Sequence, residues 1–271
     1  MSALQQLRTM TTIVADTGDL AAIARLKPID ATTNPSLITK ALIHPDNQGM
    51  LSETMSRHNG DVDAVIDALT IQVGCDILEL IEGRVSTEVD ARLSYDTQAT
   101  IDKALAFIDA YQKAGVDSER VLIKMAATWQ GIEAARYLET QNIHCNLTLL
   151  FGQHQAIACA DAGVTLISPF VGRILDWQKR QQSRQNVPAS DDMGVQSVKL
   201  IYQYYKQHGY ETQVMGASFR STEQILALAG CDLLTIAPNL IDELAAMDTE
   251  VTRQLSPSMS MDMKAMTQVS L

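Results

Sequence analysis

The chain has 271 residues, 46% hydrophobic and only 5% aromatic, with a formal net charge of −11. That balance fits a globular protein with one large α/β domain or two small ones. With no Lys/Arg-rich run, no apolar core behind a basic N-terminal segment and no apolar run of membrane-span length, it disfavours nucleic-acid and membrane roles. Short apolar runs at 11–15 and 31–33 read as strands. Apolar residues at Val62, Val65, Ile66, Leu69, Val73, Ile77 and Leu80 step by three and four, which predicts a helix over 61–81. A strand follows at 85–88. A second helical pattern runs over 97–114 through Ile101, Ala104, Leu105 and Ile108 and stops at Gly115, a suitable cap. Further strands are expected at 121–125, 144–149, 164–168, 213–217 and 233–236, with a short helical stretch at 239–247.

Three helix-like segments close with Ala-Gly before a strand, at Ala114-Gly115, Ala162-Gly163 and Ala229-Gly230. This is the rhythm of βα units. Eight such units favour a closed (β/α)8 TIM barrel over an open doubly wound sheet. No GxGxxG follows a strand and no P-loop pattern occurs, so no nucleotide cofactor is expected. The five histidines (His44, His58, His144, His154 and His208) lack metal-ligand spacing, so no metal is expected either. Cys75, Cys145, Cys159 and Cys231 are far apart and read as small buried residues of a reducing compartment, which points to the cytoplasm.

Lys124 stands inside the apolar run Val121-Leu122-Ile123-Lys124-Met125-Ala126. Such a strand reads as buried on both faces, as in a parallel sheet. Burial disfavours the ammonium form, and a neutral amine attacks carbonyl carbons to give a Schiff base. The alternative is a lysine neutralised by a buried carboxylate such as Glu88. Position alone does not separate the two.

Working residues of a (β/α)8 barrel sit at the C-terminal ends of its strands. Here those ends carry Asp16, Asn34, Glu88, Lys124, Asn146 with Thr148, Ser168, and Ser218 with Arg220. Helix capping explains any one of them. Their convergence on one rim is harder to explain that way.

Longer stretches around these residues resemble a known family. Val14-Ala15-Asp16-Thr17-Gly18-Asp19 and Asp30-Ala31-Thr32-Thr33-Asn34-Pro35-Ser36-Leu37 are similar to the first two signatures of the transaldolases, in the branch shared by bacteria and eukaryotes. Ser86-Thr87-Glu88-Val89-Asp90, Ile123-Lys124-Met125-Ala126 with Thr128-Trp129-Gln130-Gly131, and Asn146-Leu147-Thr148-Leu149 resemble the next three. Ile167-Ser168-Pro169-Phe170-Val171-Gly172-Arg173-Ile174 and Gly216-Ala217-Ser218-Phe219-Arg220 complete the set. The resemblance implies a barrel of the class I aldolase type acting on sugar phosphates without a cofactor.

It also implies a role for each matching residue. Lys124 would form the Schiff base with a ketose, and Asp16 would be the general acid/base at the C4 hydroxyl. Glu88 and Thr148 would position a water for the proton transfers of imine formation. Asn34 and Asn146 would hold hydroxyls of the dihydroxyacetone unit. Arg173 and Arg220, with Ser218, would bind the substrate phosphate, while Ser168 and Phe170 complete the wall. The related fructose 6-phosphate aldolases carry tyrosine where Phe170 stands. A phenylalanine cannot help water protonate the enamine, so Phe170 favours transfer over release.

The expected reaction moves a dihydroxyacetone unit from sedoheptulose 7-phosphate to glyceraldehyde 3-phosphate. The alternatives are a related class I aldolase with altered donor or acceptor, and a non-catalytic sugar-phosphate binder. After Pro238 the resemblance fades. The eighth helix is expected to be short or missing, the barrel domain to span 1–247, and 248–271 to form a divergent tail with methionines and serines. A homodimer is held open as the assembly.

Overall fold

A computed structural model describes residues 1–43 and 48–258. Its eight strands are β1 Thr12–Asp16, β2 Asp30–Thr32, β3 Val85–Glu88, β4 Val121–Ala126, β5 Cys145–Leu150, β6 Leu166–Pro169, β7 Gln213–Gly216 and β8 Leu233–Ile236. They pair in parallel and in chain order, and β8 returns to β1 to close the barrel. Each expected strand lies within two residues of its observed place. The helices, in chain order, are α1 Ala3–Leu7, α2 Leu20–Leu26, α3 Pro35–Ile43, α4 Gln48–Arg57, α5 Val62–Leu78, α6 Thr97–Lys113, α7 Trp129–Thr140, α8 Gln153–Asp161, α9 Val171–Gln182, α10 Met193–His208, α11 Thr222–Leu226 and α12 Pro238–Ala246. Several start on a side-chain cap. Asp19, Asp61, Asp96, Thr128 and Asp192 accept first-turn N–H groups of α2, α5, α6, α7 and α10.

Because side chains alternate along a strand, each strand faces both the barrel interior and the helices. The helix side forms one continuous core that includes Ile13, Val85, Ile123, Leu147, Ile167 and Val214. The interior side holds a separate apolar cluster of Val14, Leu122, Leu166, Met215 and Leu233. Below it, Asp30 accepts from Arg84, which also donates to Gln213. Arg84 is therefore part of the barrel's lower end. Two residues above the apolar cluster, on the same faces, come Asp16, Lys124, Ser168 and Thr235.

The helix after β8 is short, at nine residues. Residues 248–258 then pack on the barrel's lower end. Val251 and Leu255 are buried, the Val251 N–H donates to Gln6 Oε1, and the Leu255 N–H donates to the Ala229 carbonyl. Gly230 makes this possible. Its φ is +100°, and a Cβ there would sit 2.1 Å from the Leu255 oxygen. The methionine-containing stretch 259–271 and His44 lie outside the described residues. Among the described residues, no helix is long and apolar enough to cross a membrane.

Candidate active site

Register brings the reactive groups together. β3 and β4 pair Glu88 directly with Lys124. Lys124 Nζ lies 2.9 Å from Glu88 Oε2 and donates to the Thr33 carbonyl at 3.0 Å. The pair is largely buried, with side chains 9% and 16% exposed. The resting lysine thus has the carboxylate neighbour that was one reading of its position. That neighbour is also a ready acceptor for the proton the amine must lose before it can attack.

Asp16 ends β1, half-buried at the cavity wall. It is not the cap of α2; Asp19 fills that place, accepting from Ala21 and Ala22. Thr32 Oγ1 donates to Asp16 Oδ1 at 3.1 Å. Asn34 uses its Oδ1 to accept the Leu37 N–H at the start of α3. The residue lines the cavity.

β5 supplies two inward residues with different environments. Asn146 is fully buried and held at both ends: its Nδ2 donates to Ser86 Oγ at 3.0 Å, and its Oδ1 accepts from Ser168 Oγ at 2.6 Å. Thr148 Oγ1 is buried and meets no protein partner. A buried hydroxyl without a partner is costly, and this one lines the cavity. Just beyond it the register between β5 and β6 shifts and Leu149 takes φ +56°. Ser218, after β7, takes φ +62°. Left-handed non-glycine residues are uncommon and gather at working sites.

At the same cavity, α9 and the loop after β7 carry the cations. Arg173 lies with its guanidinium carbon 5.5 Å from the Phe170 ring centre. Phe170 also meets Phe151 edge to face at 5.5 Å. Arg220 Nη2 bonds Asp176 at 2.7 Å, and its Nη1 donates to Ser218 Oγ at 3.3 Å. Gly172 lets these segments close. Its N–H donates to the Ser218 carbonyl, and a Cβ there would meet that oxygen at 2.2 Å. Two guanidiniums at one end of a small cavity suit a phosphate.

These residues enclose about 280 Å³. Nine of the eleven residues expected from the sequence line it: Asp16, Asn34, Lys124, Thr148, Ser168, Phe170, Arg173, Ser218 and Arg220. Glu88 stands behind Lys124 and Asn146 beneath Ser168. Three larger cavities lie at the barrel's lower end, about 520 Å³, between α3, α5 and α6, about 520 Å³ and lined in part by Asn34 and Glu88, and beside α8, α9 and α10, about 390 Å³. None of these three is lined by Lys124, so chemistry rather than size selects the smallest. Sequence reasoning missed Thr32, Ser86, Thr235 and Asp176. The first three look like ordinary strand residues, and Asp176 had one signal: it lies three residues after Arg173 on the same helix face.

Among the described residues, the remaining titratable groups give no rival site. Burial pushes the Cys159 and Cys231 thiols up to about 12 and raises that of Cys145, which makes them inert. Among the described residues, no three His, Cys, Asp or Glu side chains gather as metal ligands.

Comparison with known proteins shows the family of the chain. The family model for Transaldolase/Fructose-6-phosphate aldolase matches residues 13–271, continuing past Pro238. A transaldolase of Methylococcus capsulatus is 56% identical over 269 residues, covering 96% of this chain and 82% of that protein. One from Thermosynechococcus vestitus is 56% identical over 270 residues, covering 96% and 69%. Another, from Acidobacterium capsulatum, is 58% identical over 264 residues, covering 94% and 79%.

Proposed function

We propose a specific reaction for this chain, which belongs to the transaldolase/fructose-6-phosphate aldolase family. It is a transaldolase that takes a dihydroxyacetone unit from sedoheptulose 7-phosphate, releases erythrose 4-phosphate, and passes the unit to glyceraldehyde 3-phosphate to give fructose 6-phosphate. The observation that carries this reading is the buried Lys124, paired with Glu88 behind it, in one cavity with Asp16 and two arginines.

Each step has a group within reach. Lys124 passes a proton to Glu88 and attacks the C2 ketone of the donor. The carbinolamine loses water, with proton transfers through Glu88 and a water held by the unpartnered Thr148 hydroxyl. Arg173 and Arg220 hold the phosphate at the far end of the substrate. Asp16 takes the proton of the C4 hydroxyl, the C3–C4 bond breaks, and the protonated imine accepts the electron pair. The enamine stays on Lys124, facing Phe170. That ring carries no proton donor, so the enamine lasts until an aldehyde arrives. Addition to the new aldehyde and hydrolysis of the imine complete the cycle.

This exchange would serve the pentose phosphate pathway. The free cysteines support a cytoplasmic location, and dimerisation is a proposal that sedimentation would test. The direct test is a coupled assay with sedoheptulose 7-phosphate and glyceraldehyde 3-phosphate. The reading expects erythrose 4-phosphate to accumulate over many turnovers only when the acceptor is present, and to stop at about one equivalent per enzyme without it. Equal release of free dihydroxyacetone without acceptor would favour an aldolase.

A further inference from the structure

Three strands meet beside the cavity at Asp16, Thr32 and Thr235. β1 is flanked by β2 and by β8; Asp16 pairs in register with Thr32, and Thr235 with Val14, two residues before Asp16. Thr32 Oγ1 donates to Asp16 Oδ1 at 3.1 Å and lies 2.7 Å from Thr235 Oγ1. Both threonines are almost fully buried, 2% and 4% exposed, and both line the cavity.

A hydroxyl has one proton to give. An ionised Asp16 can only accept, so the Thr32 proton points to it. Thr32 must then accept the proton of Thr235. The donors run in one direction, from Thr235 through Thr32 to Asp16. Each link polarises the next, and a donated hydrogen bond orients the carboxylate. Among the described residues the Thr235 hydroxyl has no other partner, so packing alone would be served equally well by valine, the better strand former at a buried site.

We propose that Thr235 is a positioning residue for the reaction. It makes no contact with Asp16 itself. By donating to Thr32 it fixes the Thr32 proton on Asp16, and so holds the Asp16 carboxylate in the orientation that takes the C4 hydroxyl proton. The proposal rests on the reading of Asp16 as the base for C–C cleavage. It predicts that the hydroxyl matters to cleavage and not to imine formation, since Lys124 and Glu88 lie outside the chain of donors.

The test compares Thr235→Val, Thr235→Ala and Thr235→Ser in the full chain, alone and combined with Asp16→Asn. Three quantities are read: kcat for transfer, KM for the donor, and borohydride trapping of dihydroxyacetone on Lys124. The expected loss in kcat for Val and Ala is about fivefold, the scale of one buried hydrogen bond. KM and trapping should stay at the wild-type level, and Ser should recover kcat to within about twofold. In the Asp16→Asn background the Val change should add nothing, because the two act as one unit. Wild-type kcat in Val and Ala, or a loss in Ser equal to that in Val, would overturn the relay. Retention of transfer by Asp16→Asn alone would instead overturn the reading of Asp16, and the relay with it. Using two apolar variants keeps the test open if one of them fails to fold.

Discussion

Two layers of side chains lie inside the barrel, two residues apart on the same strands. Val14 precedes Asp16, Leu122 precedes Lys124, Leu166 precedes Ser168 and Leu233 precedes Thr235. Burial barely distinguishes most of these pairs: Leu122, Leu166 and Leu233 are 2%, 0% and 2% exposed, while Lys124, Ser168 and Thr235 are 7%, 2% and 4%. The requirements differ. The lower layer contributes transfer free energy, about 1.5–3 kcal/mol per large side chain, and needs no particular partner. The upper layer must find a hydrogen bond for every polar atom. It does so for Lys124, Asn146, Ser168, Thr32 and Thr235. Thr148 Oγ1 is the exception there, and at the rim Arg173 stacks on Phe170 rather than pairing with an acid among the described residues. Both face the cavity, where a substrate can supply what the protein does not. One register step therefore separates stability from chemistry.

The strongest way to break this division is to extend the apolar layer upward. Lys124→Met should lower transfer at least about 10³-fold, as expected for loss of a nucleophile. It also strands Glu88, at a cost of up to about 3–5 kcal/mol. Adding Glu88→Gln should recover much of the lost Tm without any activity, and thermal unfolding beside the coupled assay checks both parts. The reciprocal change is Leu122→Ala in the lower layer. It should cost about 2–5 kcal/mol of stability while kcat per folded molecule stays within a few fold. A large fall in kcat with unchanged unfolding would show that the lower layer is not a passive floor.

The rim sharpens the comparison with smaller effects. Arg220→Ala removes a charged hydrogen-bond donor worth about 1.5–3 kcal/mol. The KM for sugar phosphates should rise roughly ten- to a hundredfold, while trapping of unphosphorylated dihydroxyacetone stays the same. Equal losses for both ligands would refute the phosphate role. Phe170→Tyr brings a hydroxyl to the wall near the imine, and the ratio of dihydroxyacetone released to dihydroxyacetone transferred should increase severalfold; an unaltered ratio would mean that the wall does not control protonation. Asp176→Asn is the mildest change. Its pair with Arg220 is over 40% exposed on both sides, so it is worth at most about 1 kcal/mol. The KM should rise no more than about fivefold.

Much of this arrangement was legible in the sequence, because barrel strands are apolar runs between helical periods and the Ala-Gly stops set their phase. Gly115, Gly163 and Gly230 all take the positive φ that makes them chain reversals. Lys124 stood out because a charge inside such a run needs a reason. Thr32, Ser86 and Thr235 did not, since a strand threonine or serine is unremarkable until register places it against a carboxylate or an amide. Asn146 was expected at the substrate, yet it is buried between Ser86 and Ser168, a fact about three strands that no single stretch contains. The segment 248–258 showed no amphipathic period because it packs without regular secondary structure, tied by backbone bonds to Ala229.

The central claim is that Lys124 is the nucleophile, and borohydride trapping tests it most directly. The protein is incubated with fructose 6-phosphate, reduced, digested and mapped by mass spectrometry. The account predicts a single adduct on the peptide containing Lys124, absent from Lys124→Met. An adduct on another lysine, or undiminished labelling of Lys124→Met, would contradict it.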